Sequence, residues 1–178
     1  MQTAGPSRVE YRHDMDAVEN VRAALVEAGI TFAAYLPDTI LHPVIRAVEA
    51  TPEITAVGVT REDEGVGACI GAFLGGKWPV LLCEGSGLGL SGLILARAVV
   101  QRTPMLILAS HNTVLGERHD YTSATRRTTE PFLQGLNIPY VVAMRKEELP
   151  LLIREAQLTV QGDRRPIAVL LPRHTLHQ

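Results

Sequence analysis

Six short apolar runs set the limits on what this chain can fold into. They cover residues 31–36, 54–59, 79–83, 105–109, 138–143 and 167–171, and stretches of helical periodicity separate them. Runs such as Val80-Leu81-Leu82-Cys83 and Met105-Leu106-Ile107-Leu108 are apolar on both sides of the pleat, with no polar alternation. A strand of that kind has to be covered on both faces, which is the habit of parallel sheets flanked by helices. The order strand–helix–strand predicts an α/β fold: a three-layer αβα arrangement around a six-stranded parallel sheet.

The intervening segments carry helix signals. Val18, Val21, Leu25 and Ala28 share one helical face, with Asp14 or Asp16 as cap and Gly29 as stop. Leu41, Val44, Ile45 and Val48 repeat the pattern behind Asp38, and Thr51-Pro52 ends it. Residues 62–75 are rich in small side chains (Gly65, Gly67, Ala68, Gly71, Ala72) and are expected to form a helix that approaches another backbone closely. A Gly-rich turn over 84–89 should lead into a helix ending near Arg102. Residues 110–129 are polar and read as a loop leading into a short helix. Residues 146–160 read as a helix with Leu149, Leu152, Ile153 and Leu158 turned inward.

Composition removes several functions. Lys and Arg number 17 against 19 Asp and Glu, a net charge of −2, so no basic surface for nucleic acid is expected. No apolar run approaches the roughly 20 residues of a membrane span, and no apolar signal core stands at the N-terminus. Cys69 and Cys83 lie in apolar stretches without metal or disulfide spacing, which suits buried thiols in a reducing cytoplasm. At this length a single domain over residues 1–178 is expected, with residues 1–13 as a flexible extension.

In parallel sheets, function collects at the carboxyl ends of the strands. Four loops therefore matter: Pro37-Asp38-Thr39, Thr60-Arg61-Glu62, the stretch from Glu84 to Gly89, and Ser110 onward. Gly87 to Gly92 spells G-x-G-x-x-G, but no carboxylate follows near the end of the next strand, as a dinucleotide site would require. Ser86 lacks the flanks of a hydrolase elbow, and His111 and His119 lack a common metal spacing. His13, His42, His174 and His177 are expected to be solvated. Glu62, Asp63 and Glu64 all suit a helix start, where unpaired N–H groups favour negative charge. A carboxylate in a dry contact, however, has its neutral form favoured.

The motif Thr60-Arg61-Glu62-Asp63-Glu64-Gly65-Val66-Gly67, followed by Gly71-Ala72-Phe73-Leu74-Gly75-Gly76-Lys77, resembles the pyrimidine-binding (PYR) domain of thiamine-diphosphate enzymes. Pro37-Asp38-Thr39, Ser86-Gly87-Leu88-Gly89 and Ser110-His111 extend the likeness, which is nearest to the α subunit of two-subunit sulfopyruvate decarboxylase and to phosphonopyruvate decarboxylase. The resemblance implies the same six-stranded sheet. It implies that Glu62 hydrogen-bonds the cofactor's pyrimidine ring nitrogen and so helps the cofactor lose its thiazolium C2 proton. It also implies that Pro37, Ser86, Gly87, Leu88 and Gly89 line the cofactor, and that Asp38, Thr39, His111 and Asn112 face a 2-oxo acid substrate. None of these holds a metal.

The same resemblance implies a missing half. Diphosphate and Mg²⁺ are held in this family by a second domain with a G-D-G signature, and here Gly162-Asp163-Arg164 breaks it. A separate diphosphate-binding β subunit is therefore expected, in a cytoplasmic hetero-oligomer with several copies of each chain. Two departures bear on substrate. The family's Gln-Asn-Ser-Gly-Leu-Gly-Asn turn is Glu84-Gly85-Ser86-Gly87-Leu88-Gly89-Leu90 here, and Asn112-Thr113 replace an Arg-Gly pair. An added carboxylate and a lost guanidinium disfavour a doubly anionic substrate, unless Arg118, Arg126 or Arg127 compensates. The expected activity is thiamine-diphosphate-dependent decarboxylation. A carboligase subunit acting on another 2-oxo acid is the alternative, with a dinucleotide-binding domain or a non-catalytic scaffold behind it.

Overall fold

The computed structural model describes residues 12–112 and 121–177. Six strands form one sheet in the order β2-β1-β3-β4-β6-β5, and every pairing is parallel. They are β1 (Phe32–Tyr35), β2 (Thr55–Gly58), β3 (Pro79–Glu84), β4 (Met105–His111), β5 (Tyr140–Val142) and β6 (Pro166–Pro172). All six apolar runs therefore become strands.

The strands divide their side chains between two cores by simple alternation. Val80, Leu82, Leu106, Leu108, Val169 and Leu171 face a layer made by α1 (Met15–Glu27), α2 (His42–Glu49) and α6 (Leu149–Asp163). Leu81, Cys83, Met105, Ile107, Ala109, Ala168 and Leu170 face α3 (Glu62–Leu74), α4 (Gly92–Val100) and α5 (Thr122–Gly135). Buried Ile40 and Leu41 anchor the start of α2, where Asp38 Oδ1 accepts the N–H groups of Ile40 and Leu41 at 2.9 and 2.7 Å. Asp38 thus closes the turn ahead of the helix and does not cap it directly. Asp14 is the α1 cap, accepting from the Ala17 N–H and holding Lys146 Nζ at 2.6 Å.

The small residues of α3 serve the expected close approach. A side chain at Gly65 would meet Leu81 at 2.6 Å, so α3 lies almost on the sheet. That contact outweighs the poor helix propensity of glycine, about 1 kcal/mol per residue.

Three expectations change. Residues 84–89 do not form an open turn, because β3 runs on to Glu84 and a 3₁₀ helix spans Gly85–Ser91. The polar stretch from 110 is largely structured where it is described: β4 extends through His111, and α5 begins at Thr122 and runs 14 residues. Leu158 is 66% exposed, because α6 turns Ile153, Ala156, Gln157 and Val160 inward instead. A Leu at a position one step off the buried stripe simply stays outside. Of the expected N-terminal extension, Arg12 and His13 are described, and His13 bridges His177.

Two predictions follow from the packing. A Cβ at residue 85 would come within 2.7 Å of the Ser110 carbonyl oxygen and 2.8 Å of the Thr129 side chain. Gly85→Ala should therefore cost about 2 kcal/mol and lower Tm by roughly 4–8 °C, whereas Gly89→Ala, which meets nothing, should leave Tm nearly unchanged. Burial raises the Cys69 thiol to about 12 and pushes Cys83 well above its usual value. Both thiols should stay unmodified by an aromatic disulfide reagent at pH 8 in the native chain and react together on unfolding.

Candidate functional site at the sheet switch point

Strand order reverses between β1 and β3, since the chain moves outward from β1 to β2 and then crosses to the other side. In an open parallel sheet this opens a crevice at the carboxyl ends of β1 and β3. Pro37, Asp38 and Thr39 leave β1 there, and the 3₁₀ helix Gly85–Ser91 leaves β3 beside them. Helix α3, arriving from β2, begins at Glu62.

Three consecutive acids open α3, and their surroundings separate them. Arg61 pairs with Asp63 at 2.9 Å and holds its carboxyl below the usual range. Glu64 accepts the Thr60 hydroxyl at 2.7 Å and the Thr60 N–H at 3.0 Å, which lowers it too. Both are committed to local contacts near solvent. Glu62 is 7% exposed, and no hydrogen bond to its carboxylate is found among the described residues. It turns inward against the 3₁₀ helix instead. A Cβ at Gly87 would lie 1.9 Å from Glu62 Oε1 and 2.2 Å from its Cδ, so residue 87 has to be glycine for Glu62 to occupy this place. The arrangement leaves a nearly buried acid free to share a proton with whatever enters the crevice.

The other expected site residues spread along the same edge. Leu88 is buried beneath the 3₁₀ helix, Ser86 and Gly87 are half-buried, and Gly89 is exposed. Pro37, Asp38 and Thr39 line a cavity of about 370 Å³ together with His13 and His42. His111 and Asn112 end β4 and are buried. Glu84 is half-buried and stands level with Ser110 across the β3–β4 pair. Burial is the main cause of the high Cys83 thiol, and Glu62, Asp38 and Glu84 add to it, so three carboxylates gather around the end of β3. Arg126 and Arg127 lie on α5, half-buried and exposed, while Arg118 falls outside the described residues.

Sequence reasoning missed two features. His13 and His42 are exposed as expected, yet they border the cavity, and His177 is buried, with its ring 4.4 Å from that of His13. Burial lowers His177 from its usual value, and the neighbouring His13 lowers it further. Glu130 and Tyr140 also reach the site's flank through His111. No local spacing signals such contacts, because the partners come from different elements.

A residue set of this kind fits the pyrimidine end of thiamine diphosphate: one buried acid without a hydrogen-bond partner among the described residues, facing a backbone with no side chain. Among the described residues no group of three His, Cys, Asp or Glu could hold a metal.

Comparison with known proteins agrees. The profile of the family "Thiamine pyrophosphate enzyme, N-terminal TPP binding domain" matches residues 15–130. The chain is 34% identical over 158 residues to a protein of Methanococcus maripaludis named sulfopyruvate decarboxylase subunit alpha, covering 88% of this chain and 95% of that one. It is 31% identical to a Methanosarcina acetivorans protein named sulfopyruvate decarboxylase, covering 87% of this chain but 40% of that one. In fold it superposes with a TM-score of 0.73 on a 2-oxoglutarate:ferredoxin oxidoreductase from Magnetococcus marinus, at 17% identity, over 99% of this chain and 33% of that chain. With the acid, the glycine and the switch point in place, the chain belongs to the thiamine pyrophosphate enzyme family, as an N-terminal, cofactor-binding domain of that family.

Proposed function

We propose that this chain is the pyrimidine-binding subunit of a two-subunit, thiamine-diphosphate-dependent 2-oxo acid decarboxylase. The observation that carries the reading is the buried Glu62, without a hydrogen-bond partner among the described residues and pressed against Gly87. Bound thiamine diphosphate supplies the electron sink that lets a 2-oxo acid lose carbon dioxide. Glu62 would hold a proton at the ring nitrogen of the pyrimidine, and Pro37 with Ser86 to Gly89 would flank the ring. His111, Asn112, Asp38 and Thr39 would meet the substrate.

A single pyrimidine-binding domain, residues 1–178, accounts for the chain, and a separate diphosphate-binding β subunit would bring Mg²⁺. The lengths of the relatives support this division. A protein named as an α subunit matches over 95% of its length and 88% of this chain, and one named without a subunit is more than twice as long as the matched part. The surface supports it too. Leu90 and Leu93 are 62% and 69% exposed beside Ile94, and with Gly67, Asp63, Glu64 and Arg97 they line a groove of about 480 Å³ between α3 and α4. Leu74 and Val100, at the C-terminal ends of α3 and α4, are also exposed. Patches of this kind on a soluble domain mark contact surfaces, and this one starts beside Glu62. Two free buried thiols suit a reducing compartment such as the cytoplasm.

Two outcomes test the proposal. In the complex reconstituted with a diphosphate-binding subunit, thiamine diphosphate and Mg²⁺, Glu62→Gln should keep assembly and lower turnover by about 10²–10⁴-fold, since the amide keeps the shape but cannot exchange the proton. Full decarboxylation by the chain alone, or more than a tenth of activity in the variant, would overturn the reading. Leu93→Glu should leave the fold of the isolated chain intact and weaken association with the partner subunit at least tenfold, measured by titration calorimetry.

A further inference from the structure

At the end of β4, His111 is 3% exposed, and its Nε2 lies 3.2 Å from Glu130 Oε1 on α5. The second oxygen of Glu130 accepts the hydroxyl of Tyr140, on β5, at 2.9 Å. Gln134, one turn along α5, donates its Nε2 to the same hydroxyl at 2.8 Å. We propose that Glu130, backed by Tyr140, is a positioning residue that holds the His111 imidazole at the site with its proton on Nε2. The inference rests on the proposed role of the crevice as the place where a 2-oxo acid binds.

A carboxylate can only accept, so the contact with Nε2 commits that nitrogen as the donor and makes Nδ1 the basic atom of the ring. The two tautomers of a neutral imidazole lie close in energy, and the contact with the acid favours the one protonated on Nε2. The Tyr140 hydroxyl keeps its proton readily. Burial raises it first, and the hydrogen bond to Glu130 raises it further, so it remains a donor to the acid. Both carboxylate oxygens are thereby engaged, and the acid has one orientation. Its helix helps fix it: Leu133 is fully buried in the core beneath α5, and Gln134 stands one turn beyond Glu130. Alternation along β4 turns His111 to the same side as Ile107 and Ala109, the face that α3 and Glu62 share. The tie thus links β4, α5 and β5 at the flank of the site opposite β1.

A purely structural brace would predict a loss of stability and nothing else. The test therefore reads the ring itself. The full chain is labelled with ¹⁵N, and His111 is assigned by comparison with His111→Gln. Wild type should show the Nε2–H tautomer at pH 7.5. In Glu130→Gln the ring signals should move toward a mixture of tautomers, and Glu130→Asp should recover the wild-type pattern at least in part. Tyr140→Phe, which removes one supporting hydroxyl and little packing, should give a smaller shift of the same sign and serves where Glu130→Gln is poorly folded. In the reconstituted complex Glu130→Gln should lower kcat about tenfold with KM held within twofold. An unchanged His111 signal in both variants overturns the proposal, as does a tautomer shift that leaves kcat within twofold of wild type. The ring signals are read on the chain without cofactor. A failure of Glu62→Gln to affect turnover would therefore sink the functional reading while leaving the His111 tautomer as found.

Discussion

One contact governs the rest of this structure: a carboxylate packed against a backbone that has no side chain. Glu62 can occupy its place only because residue 87 is glycine, since any Cβ there would sit 1.9 Å from the acid oxygen. For the two to meet, β1 and β3 must be neighbours, with β2 on the far side, so that α3 and the segment after β3 converge over one crevice. Helix α3 must also lie nearly on the sheet, which Gly65 permits over Leu81. The 3₁₀ helix Gly85–Ser91 then follows closely on β3, pinned at Gly85 between the Ser110 carbonyl and Thr129. Each of these glycines acts by absence of a side chain, and each absence brings a functional backbone nearer.

Electrostatics sorts the residues that this geometry gathers. Asp63 and Glu64 are satisfied by Arg61 and Thr60 and stay near solvent. Glu62 has neither partner, although it shares the same helix turn. On the other flank His111 is paired with Glu130, and Glu130 with Tyr140. The crevice is therefore bordered on one side by an acid without a hydrogen-bond partner among the described residues and on the other by an imidazole tied to Glu130. That division suits a site in which a proton is held at one atom and substrate is met at another.

Most of the fold was legible because the strands are apolar on both faces. Val80 to Cys83 and Met105 to Ala109 admit few other readings, and they become the two central strands of the sheet. What stayed hidden depended on partners distant in sequence. Nothing local tells Leu158 from Leu152, because the buried stripe of α6 is set by the sheet it packs on. Polar composition makes 110–129 read as a loop leading into a short helix, yet α5 already begins at Thr122, with Thr125 and Thr129 buried and the Thr129 hydroxyl bonding the Thr125 carbonyl one turn back. Glu62, Asp63 and Glu64 are equivalent as helix-starting acids. Resemblance selected Glu62, and burial is what sets it apart from the other two. His111 and Glu130 stand 19 residues apart, and Glu130 and Tyr140 stand 10 apart, so no motif could announce their network.

The same helix carries both the acid and the outward apolar face, and this joins assembly to chemistry. Glu62 is the first residue of α3, while Gly67, five residues on, lines the groove that Leu90, Leu93 and Ile94 share. A partner seated in that groove would remove water within about two helical turns of the acid. Lower local polarity disfavours the charged form of a carboxyl group that has no cationic partner. It also strengthens any hydrogen bond the group makes to a bound ring. In the isolated chain Glu62 is already nearly buried, while the groove beside it remains open to solvent. Assembly would thus complete the seclusion of a residue that the chain's own fold has already placed.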